Sequence, residues 1–390
     1  MPHTPKYPPC PLAKKCGGCQ LQHMPYAQQL QYKQDKVNAL LGRYHRVSPI
    51  CGMSNPYHYR NKVQAAFALT RNREILSGVY QSSSHRIVKV DSCQIEDPVA
   101  DRIVVSIRRL LPEFQILPYQ EDSRKGFLRH VLVRRGFKSG QIMVVLVAAH
   151  PIFSMKKRFV QALLERHPEI TTVVLNINSQ KTSMVLGERE EVLYGKGYIE
   201  DTLCGCVFRI SPRSFYQINP IQTEVLYGKA IELAGLTGTE NVLDAYCGIG
   251  TIGLIAARTA GQVVGVEVNG DAVRDARVNA KRNGITNAHF ITADAGEYMV
   301  ELAQEGQPID VVFMDPPRAG SDMAFLNSLV TLHPKKVIYI SCNPETQARD
   351  LRTLTKNGYC VTHVQPVDMF PHTQHIECIV ALEDKQGADR

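Results

Sequence analysis

The sequence has no long hydrophobic stretch. Its longest apolar run, Ile142 to Ala149, is eight residues, whereas a membrane-spanning helix needs about 20. The first 15 residues are rich in Pro, Lys and Cys and contain no apolar segment typical of a secretory signal. Internal repeats and low-complexity segments are also absent. We therefore expect a cytoplasmic protein that does not insert into a membrane.

Composition excludes further classes. With 44% apolar and 21% charged residues, the chain is neither disordered nor of a collagen-like or coiled-coil type. Its 11 cysteines are an odd number in a chain without a visible signal, which argues against a disulfide scaffold. A length of 390 residues predicts two or three domains.

Positive charge is concentrated in the first half. Residues 1–210 hold 30 Lys and Arg against 16 Asp and Glu, a net +14, whereas residues 211–390 carry a net −6. Arginine-rich segments such as Arg134 to Lys138 favour nucleic acid as the partner, because guanidinium groups neutralise phosphates well. A solvated basic surface without a partner is the alternative.

Periodicity divides the chain at about residue 210. The first part predicts an α+β domain, with helices at 25–42, 98–111 and 155–166 and strands at 63–69, 75–80, 87–90, 128–134, 141–149 and 171–177. The second part alternates strands and helices, with strands at 241–244, 262–267, 288–292, 311–314, 336–341, 360–366 and 375–382. Such alternation predicts a doubly wound, largely parallel sheet that ends in a hairpin. We predict domains at 1–210 and 211–390, with packing of the helix at 25–42 on the second domain as an alternative to packing on its own.

A glycine loop follows the first strand of the second domain. Gly248, Gly250 and Gly253 form a G-x-G-x-x-G pattern, and Glu267 ends the next strand. This pattern fits a dinucleotide site or an S-adenosylmethionine site equally well. Asp244 favours S-adenosylmethionine, because a carboxylate suits the ammonium of its methionine moiety and would repel a pyrophosphate. A glycine turn without a ligand is the third alternative.

Two later strands end in motifs that suit methyl transfer better than hydride transfer. One runs into Asp315-Pro316-Pro317-Arg318, a rigid loop for which nicotinamide chemistry has no use. The other runs into Ser341-Cys342-Asn343-Pro344, with Asn343 as the predicted N-cap and Pro344 in the first helical position. The helix dipole is expected to lower the pKa of Cys342 below about 8.5. We therefore predict a reactive thiol rather than an inert core cysteine.

Together these motifs resemble the RNA uracil-C5 methyltransferases, which make 5-methyluridine with S-adenosylmethionine. The resemblance runs from Cys10 to Ile379 and also includes Phe215 to Asn219 and His375 to Glu377. It implies an α/β Rossmann-like methyltransferase domain preceded by an α+β domain that binds an iron–sulfur cluster and RNA. By resemblance, the cofactor contacts are Gln217, Tyr246, Glu267 and Asp315, the nucleophile is Cys342 and the proton acceptor is Glu377. We add Asp244, Gly248, Gly250 and Asp294 to the predicted cofactor site.

The chemistry of uracil requires both catalytic residues. Its C5 atom is a poor nucleophile, and addition of a thiolate at C6 makes C5 electron-rich. The C5 proton must then leave, which needs a base. The apolar neighbours of Glu377 in the sequence should raise its pKa, as suits that role, although an isolated glutamate is more often a surface carboxylate.

Four cysteines form a second constellation. Cys10, Cys16 and Cys19 are spaced as C-x5-C-x2-C, and Cys93 comes much later. Four thiolates can hold zinc or a [4Fe–4S] cluster, and unrelated free thiols are the third alternative. The spacing matches the cluster motif of the ribosomal RNA branch of the family, and tRNA-modifying relatives typically lack it.

We therefore predict methylation of C5 of a uridine in 23S ribosomal RNA, with S-adenosylmethionine and a [4Fe–4S] cluster as cofactors and no obligate protein partner. The alternative is the same chemistry on the T-loop of tRNA. A nicotinamide-dependent oxidoreductase and a non-enzymatic RNA-binding module are less favoured rivals. Many relatives begin with a small β-barrel RNA-binding domain, for which there is no room before Cys10, so part of the usual RNA contact is expected either to be missing or to come from elsewhere.

Overall fold

A computed structural model describes residues 9–81, 84, 86–182 and 184–385. The helices are α1 (Ala13–Cys16), α2 (Tyr26–Leu41), α3 (Pro98–Glu113), α4 (Lys156–Arg166), α5 (Pro220–Ala234), α6 (Thr251–Ala256), α7 (Gly270–Arg282), α8 (Ala295–Glu305), α9 (Met323–Leu332) and α10 (Pro344–Lys356). The strands are β1 (Lys62–Leu69), β2 (Ile75–Tyr80), β3 (Ile87–Lys89), β4 (Leu128–Arg135), β5 (Ile142–Ala148), β6 (Ile170–Ile177), β7 (Arg189–Tyr194), β8 (Ile199–Leu203), β9 (Cys206–Ile210), β10 (Asn241–Ala245), β11 (Gln262–Glu267), β12 (Ala288–Thr292), β13 (Val311–Met314), β14 (Lys336–Ser341), β15 (Tyr359–Val367) and β16 (Glu377–Asp384). None of the helices in these described ranges has the length and hydrophobicity needed to cross a membrane.

The chain divides into two compact units. The first comprises the described residues within Met1–His23, Pro56–Thr202 and Arg209–Arg213, and the second comprises those within Met24–Asn55, Leu203–Phe208 and Ser214–Arg390. This division differs from a single boundary at residue 210, because Met24–Asn55 lies with the second unit.

The first unit is built around a mostly antiparallel sheet in the order β3-β2-β1-β4-β5-β6-β7, in which only the β5–β6 pair is parallel. Helices α3 and α4 pack on one face, where Ile107, Leu110 and Phe159 join the core. Strand β5 is buried along its whole length, which explains its continuous apolar sequence.

The second unit has a sheet in the order β12-β11-β10-β13-β14-β16-β15. The first five of these strands are parallel to one another, and β16 runs antiparallel to both β14 and β15. The alternating architecture and the final hairpin predicted for this part are confirmed. In the register of β14 and β16, Ser341 lies opposite Cys378.

Polar caps at helix N-termini fix the turns that follow the strands. Asn343 caps α10 by accepting a hydrogen bond from the backbone N–H of Glu345, and Pro344 is the first helical residue, as predicted. Asn219 and Pro220 begin α5 in the same way. Proline loses nothing at this position, because the first amide groups of a helix have no partner within it.

Strands β7, β8 and β9 were missed by the sequence analysis. In β7 the residues alternate between exposed and half-buried, so the apolar pattern that marks a strand is weak. Strands β8 and β9 are five residues each and pair only with each other.

Helix α2 is fixed to the second unit by apolar and ionic contacts. Val37 and Leu41 are buried in its main core. Lys33 is also fully buried, and its ammonium contacts the carboxylate of Asp368 at 2.5 Å and donates to the carbonyl of Phe370 at 3.0 Å. The Asp368 carboxylate accepts a further hydrogen bond from the Tyr26 hydroxyl at 2.7 Å. Burial lowers the pKa of Lys33, and Asp368 counteracts this effect.

We expect Lys33→Met to lower the free energy of unfolding of the second unit by about 3–5 kcal/mol, because it leaves a buried carboxylate without its cation. Denaturant unfolding followed by circular dichroism measures this loss, and the double variant Lys33→Met/Asp368→Leu should recover most of it. Lys36→Met is the matched control on the same helix. Its partner Glu345 is exposed, so its removal should cost about 1 kcal/mol or less.

Candidate active site

The parallel strands of the second unit bring the predicted site residues to one edge of the sheet. Asp244 lies near the carboxyl end of β10, Glu267 ends β11, Asp315 follows β13 and Cys342 follows β14. Because β16 is antiparallel to β14, Glu377 at the start of β16 reaches the same edge as Cys342. This is the edge at which doubly wound sheets bind their ligands.

Two carboxylates, those of buried Glu377 and half-buried Asp315, lie near Cys342. Glu377 is only 4% exposed, and its burial, with the nearby charge of Asp315, raises its pKa well above the usual range. This agrees with the direction expected from its apolar neighbours. Burial also raises the pKa of Asp315, to about 7. Two neighbouring carboxylates in a buried site disfavour each other's ionisation.

The prediction that Cys342 has a lowered pKa is wrong for the ligand-free protein. The pKa of this thiol is raised to about 11, chiefly by burial and further by the negative charges of Glu377 and Asp315. Arg318 acts in the opposite direction. Cys342 does lie at the N-terminus of α10, but the helix dipole is weaker than burial and two carboxylates combined.

The glycine loop is folded around two carboxylates. The backbone N–H of Gly253 donates to Oδ2 of Asp244 at 2.7 Å, and that of Gly248 donates to Oε2 of Glu267 at 3.1 Å. Oδ1 of Asp244 is buried and has no hydrogen-bond partner in the part of the chain that the structure describes. Burial raises the pKa of Asp244 to about 8, and the charges of Asp315 and Glu267 add to this effect. An orphaned carboxylate oxygen at this edge fits a cationic ligand group such as the S-adenosylmethionine ammonium.

The same loop uses backbone conformations that favour glycine. Gly248 and Gly250 have positive φ angles of 56° and 80°, and a Cβ on Gly250 would lie 2.8 Å from the ring of Phe290. Tyr246 also has a positive φ, of 64°, and its ring packs against that of Phe325 with centroids 5.6 Å apart. These contacts stabilise the conformation of the loop.

Gln217 and Asp294 occupy different environments. Gln217 is buried and forms a side-chain hydrogen bond with Tyr227. Asp294 is exposed and caps α8 by accepting from the N–H groups of Gly296 and Glu297. It also contributes to the negative surroundings of the Tyr246 hydroxyl, so it lies on the same side of the sheet as the glycine loop.

Sequence reasoning missed several residues that shape this site. Tyr227 is buried on α5 and bonds both Gln217 and Thr251, yet no motif marks it. His375 was part of a recognised motif but received no role, and its Nδ1 lies 3.2 Å from the Arg318 guanidinium. Such contacts join residues far apart in sequence, so periodicity cannot reveal them.

The four cysteines of the second constellation line one cavity in the first unit. Cys10, Cys16, Cys19 and Cys93 all contribute to its wall. Burial raises the pKa of Cys19 to about 12, and the nearby Cys16 and Cys10 add to this effect. A Cβ on Gly18 would lie 3.3 Å from the Cys16 sulfur. In the ranges that the structure describes, however, no three His, Cys, Asp or Glu side chains are arranged to hold a metal ion.

Comparison with known proteins extends the similarity over nearly the whole chain. The family model described as tRNA (Uracil-5-)-methyltransferase matches residues 25–385. An uncharacterized RNA methyltransferase of Halalkalibacterium halodurans is 44% identical over 97% of this chain and 83% of its own length. Another, of Caldanaerobacter subterraneus subsp. tengcongensis, is 45% identical over 96% of this chain and 84% of its own length. The crystal structure of Pyrococcus abyssi tRNA (uracil-54, C5)-methyltransferase with S-adenosyl-L-homocysteine gives a TM-score of 0.79 at 29% identity, over 94% of this chain and 85% of that one.

We expect Gly253→Ala to weaken S-adenosylmethionine binding by roughly tenfold, about 1.4 kcal/mol, as measured by isothermal titration calorimetry. The new Cβ would lie 2.8 Å from Oδ2 of Asp244 and would push this carboxylate from its place. Alanine suits a helix better than glycine, so α6 itself should not suffer. Gly228→Ala in α5 is the control, because its Cβ has no neighbour within 4 Å. Unchanged affinity in Gly253→Ala would show that Asp244 does not hold the cofactor.

Proposed function

The chain belongs to the tRNA (uracil-5-)-methyltransferase family, which makes it an S-adenosylmethionine-dependent uracil-5 RNA methyltransferase, and we propose that its substrate is a uridine of 23S ribosomal RNA. We further propose that Cys342 is the nucleophile and Glu377 the base. The observation that supports this assignment is the pairing of β14 with β16, which sets both residues at one edge of the sheet.

In this mechanism the Cys342 sulfur forms a bond with C6 of uracil, and the electron pair of the C5–C6 double bond moves into the ring as an enolate. S-adenosylmethionine supplies the methyl group that C5 then receives. Glu377 next takes the proton from C5, the C5–C6 double bond re-forms and the thiolate leaves. A base with a raised pKa suits this step, because Glu377 must hold the proton that it accepts.

The residues of the glycine loop fit the cofactor. We propose that Asp244 faces its ammonium group and that Glu267, held by the Gly248 amide, faces its ribose hydroxyls. Gln217, Tyr246, Gly250, Asp294 and Asp315 complete the proposed cofactor site.

The preference for ribosomal RNA rests on the cysteines. We propose that Cys10, Cys16, Cys19 and Cys93 hold a [4Fe–4S] cluster, because their side chains line one cavity and four thiolates are the usual ligands of such a cluster. The cluster would order the segment before α2 in the first unit. A cluster-bearing chain matches the ribosomal RNA branch that the sequence resembles.

Transfer RNA is the second candidate substrate. The Pyrococcus abyssi structure, which covers 94% of this chain at 29% identity, is that of a tRNA (uracil-54, C5)-methyltransferase. For either RNA, we propose that the basic residues within 1–210 contact phosphates, so that affinity should fall steeply as salt rises.

The substrate and the mechanism can be tested together with Glu377→Gln. This variant should add Cys342 to the target uridine and receive the methyl group but fail to release the product, because the C5 proton has no acceptor. With tritiated S-adenosylmethionine, we expect a labelled protein–RNA adduct that survives denaturing electrophoresis with 23S ribosomal RNA and not with tRNA.

Cys342→Ala is the companion variant, and it should form no adduct and show no turnover while it still binds the cofactor. Labelling of tRNA alone would identify tRNA as the substrate. Normal turnover by Glu377→Gln would assign the base to another residue, and methylation by Cys342→Ala would exclude the covalent mechanism.

We expect anaerobically purified protein to contain about four iron and four sulfide per chain and to be brown. Cys16→Ser should reduce the iron content and RNA binding, whereas cofactor binding by the second unit should persist. Cys360→Ser, which changes a half-buried cysteine of the second unit, is the control. Stoichiometric zinc without iron would contradict the [4Fe–4S] assignment.

A further inference from the structure

One hydrogen bond at the edge of the sheet that carries Cys342 has no role in the proposed mechanism. Nη2 of Arg318 lies 3.2 Å from Nδ1 of His375. An arginine has no acceptor atom, so a hydrogen bond between these groups requires the imidazole nitrogen to accept. His375 must therefore be unprotonated at Nδ1 when the contact forms.

The surroundings of His375 favour this neutral state. His375 is itself exposed, and the partial burial of its ring lowers its pKa, as do the positive charges of Arg318 and of Lys33 and Lys36 on α2. The ring of Phe370 meets the imidazole edge-on, at a centroid distance of 6.1 Å. The carboxylate of Glu345 on α10 forms an ion pair with Lys36 at 3.1 Å, so its negative charge is already balanced.

His375 is held in place by the loop that precedes β16. Its backbone N–H donates to the Thr373 hydroxyl at 3.2 Å, and that hydroxyl donates to the Phe370 carbonyl at 2.8 Å. The same carbonyl accepts from the buried ammonium of Lys33. A chain of hydrogen bonds thus connects helix α2 to the backbone of His375.

The backbone of Arg318 is held by hydrogen bonds, whereas its guanidinium can adopt several positions. Its carbonyl accepts from the side chains of Asn343 at 3.2 Å and Thr346 at 3.4 Å, both at the start of α10. The side chain itself is exposed, and an exposed arginine samples many rotamers unless a partner holds it. Its positive charge lowers the pKa of Cys342, whereas burial and the charges of Glu377 and Asp315 raise it.

We propose that neutral His375 accepts a hydrogen bond from Arg318 and so holds the guanidinium beside the Cys342 thiolate, which makes His375 a positioning residue of the reaction. The inference rests on the proposed function, because it takes Cys342 as the nucleophile. His375 touches neither uracil nor the cofactor in this role. It acts through Arg318, whose charge favours the thiolate that must form before addition to C6.

The test compares His375→Phe with His375→Asn. Phenylalanine keeps a ring against Phe370 but has no acceptor, whereas asparagine can offer Oδ1 in place of Nδ1. The measurement is the rate of alkylation of Cys342 by iodoacetamide between pH 6 and 11, followed by mass spectrometry of the peptide that contains it, in the full-length protein without RNA.

We expect His375→Phe to displace this pH profile upward by about half a unit to one unit, so that the thiolate fraction at pH 8, and with it the rate, falls roughly threefold to tenfold. His375→Asn should restore most of the wild-type profile, which a purely structural role of the ring would not produce. In an Arg318→Met background, His375→Phe should cause no further shift, because its effect passes through the guanidinium.

An unchanged pH profile in His375→Phe would overturn the inference, and so would an equal further shift in the Arg318→Met background. Neither result would test whether Cys342 is the nucleophile. Failure of the proposed function would appear separately, as methylation of RNA by Cys342→Ala. Circular dichroism spectra of each variant exclude loss of folding as the cause of a shifted profile.

Discussion

The buried contact between Lys33 and Asp368 holds the loop before β16 against helix α2. This loop leads to the edge of the sheet that carries the candidate active site. A fully buried ammonium is stable only where its charge and its hydrogen atoms are matched, and here one carboxylate and one carbonyl do this. Gln29 adds two contacts from the same helix, because its amide oxygen accepts from the His372 backbone at 2.9 Å and its nitrogen lies 3.2 Å from the His372 ring. Helix α2, distant in sequence, therefore fixes the loop from which β16 and Glu377 begin.

Electrostatics distinguish this edge from the rest of the sheet. Asp244, Asp315 and Glu377 all have raised pKa values, and burial is the main cause in each case. A cluster of buried acids is unfavourable alone and becomes favourable when a cation joins it. The ligand-free site is thus suited to a positively charged partner, a property of sulfonium cofactors and not of a dinucleotide pyrophosphate.

The sequence predicted features that depend on neighbours along the chain. Strands β11, β12, β13 and β14 were placed at their observed bounds, because a buried parallel strand is a continuous apolar run between turn residues. The Asn343 cap followed from local chemistry in the same way. Features that depend on packing were harder to predict from the sequence. The pKa of Cys342 was predicted in the wrong direction, since it depends chiefly on burial and further on Glu377 and Asp315, which only the folded sheet brings near. Tyr227 lacked any local signal, and the exposed strand β7 lacked a strong apolar pattern.

The reversed direction of β16 has a mechanical consequence. Ser341 and Cys378 are the last register partners on adjacent strands, so Cys342 and Glu377 are the residues that adjoin this pair along each chain. Neighbouring strands lie about 4.8 Å apart, and backbone hydrogen bonds resist changes in this spacing. Thermal fluctuation of the surrounding loops can therefore displace the thiol and the carboxylate together while leaving their separation nearly constant. If Cys342 and Glu377 act as proposed, the sheet itself spaces the nucleophile from the base during both addition at C6 and proton removal at C5.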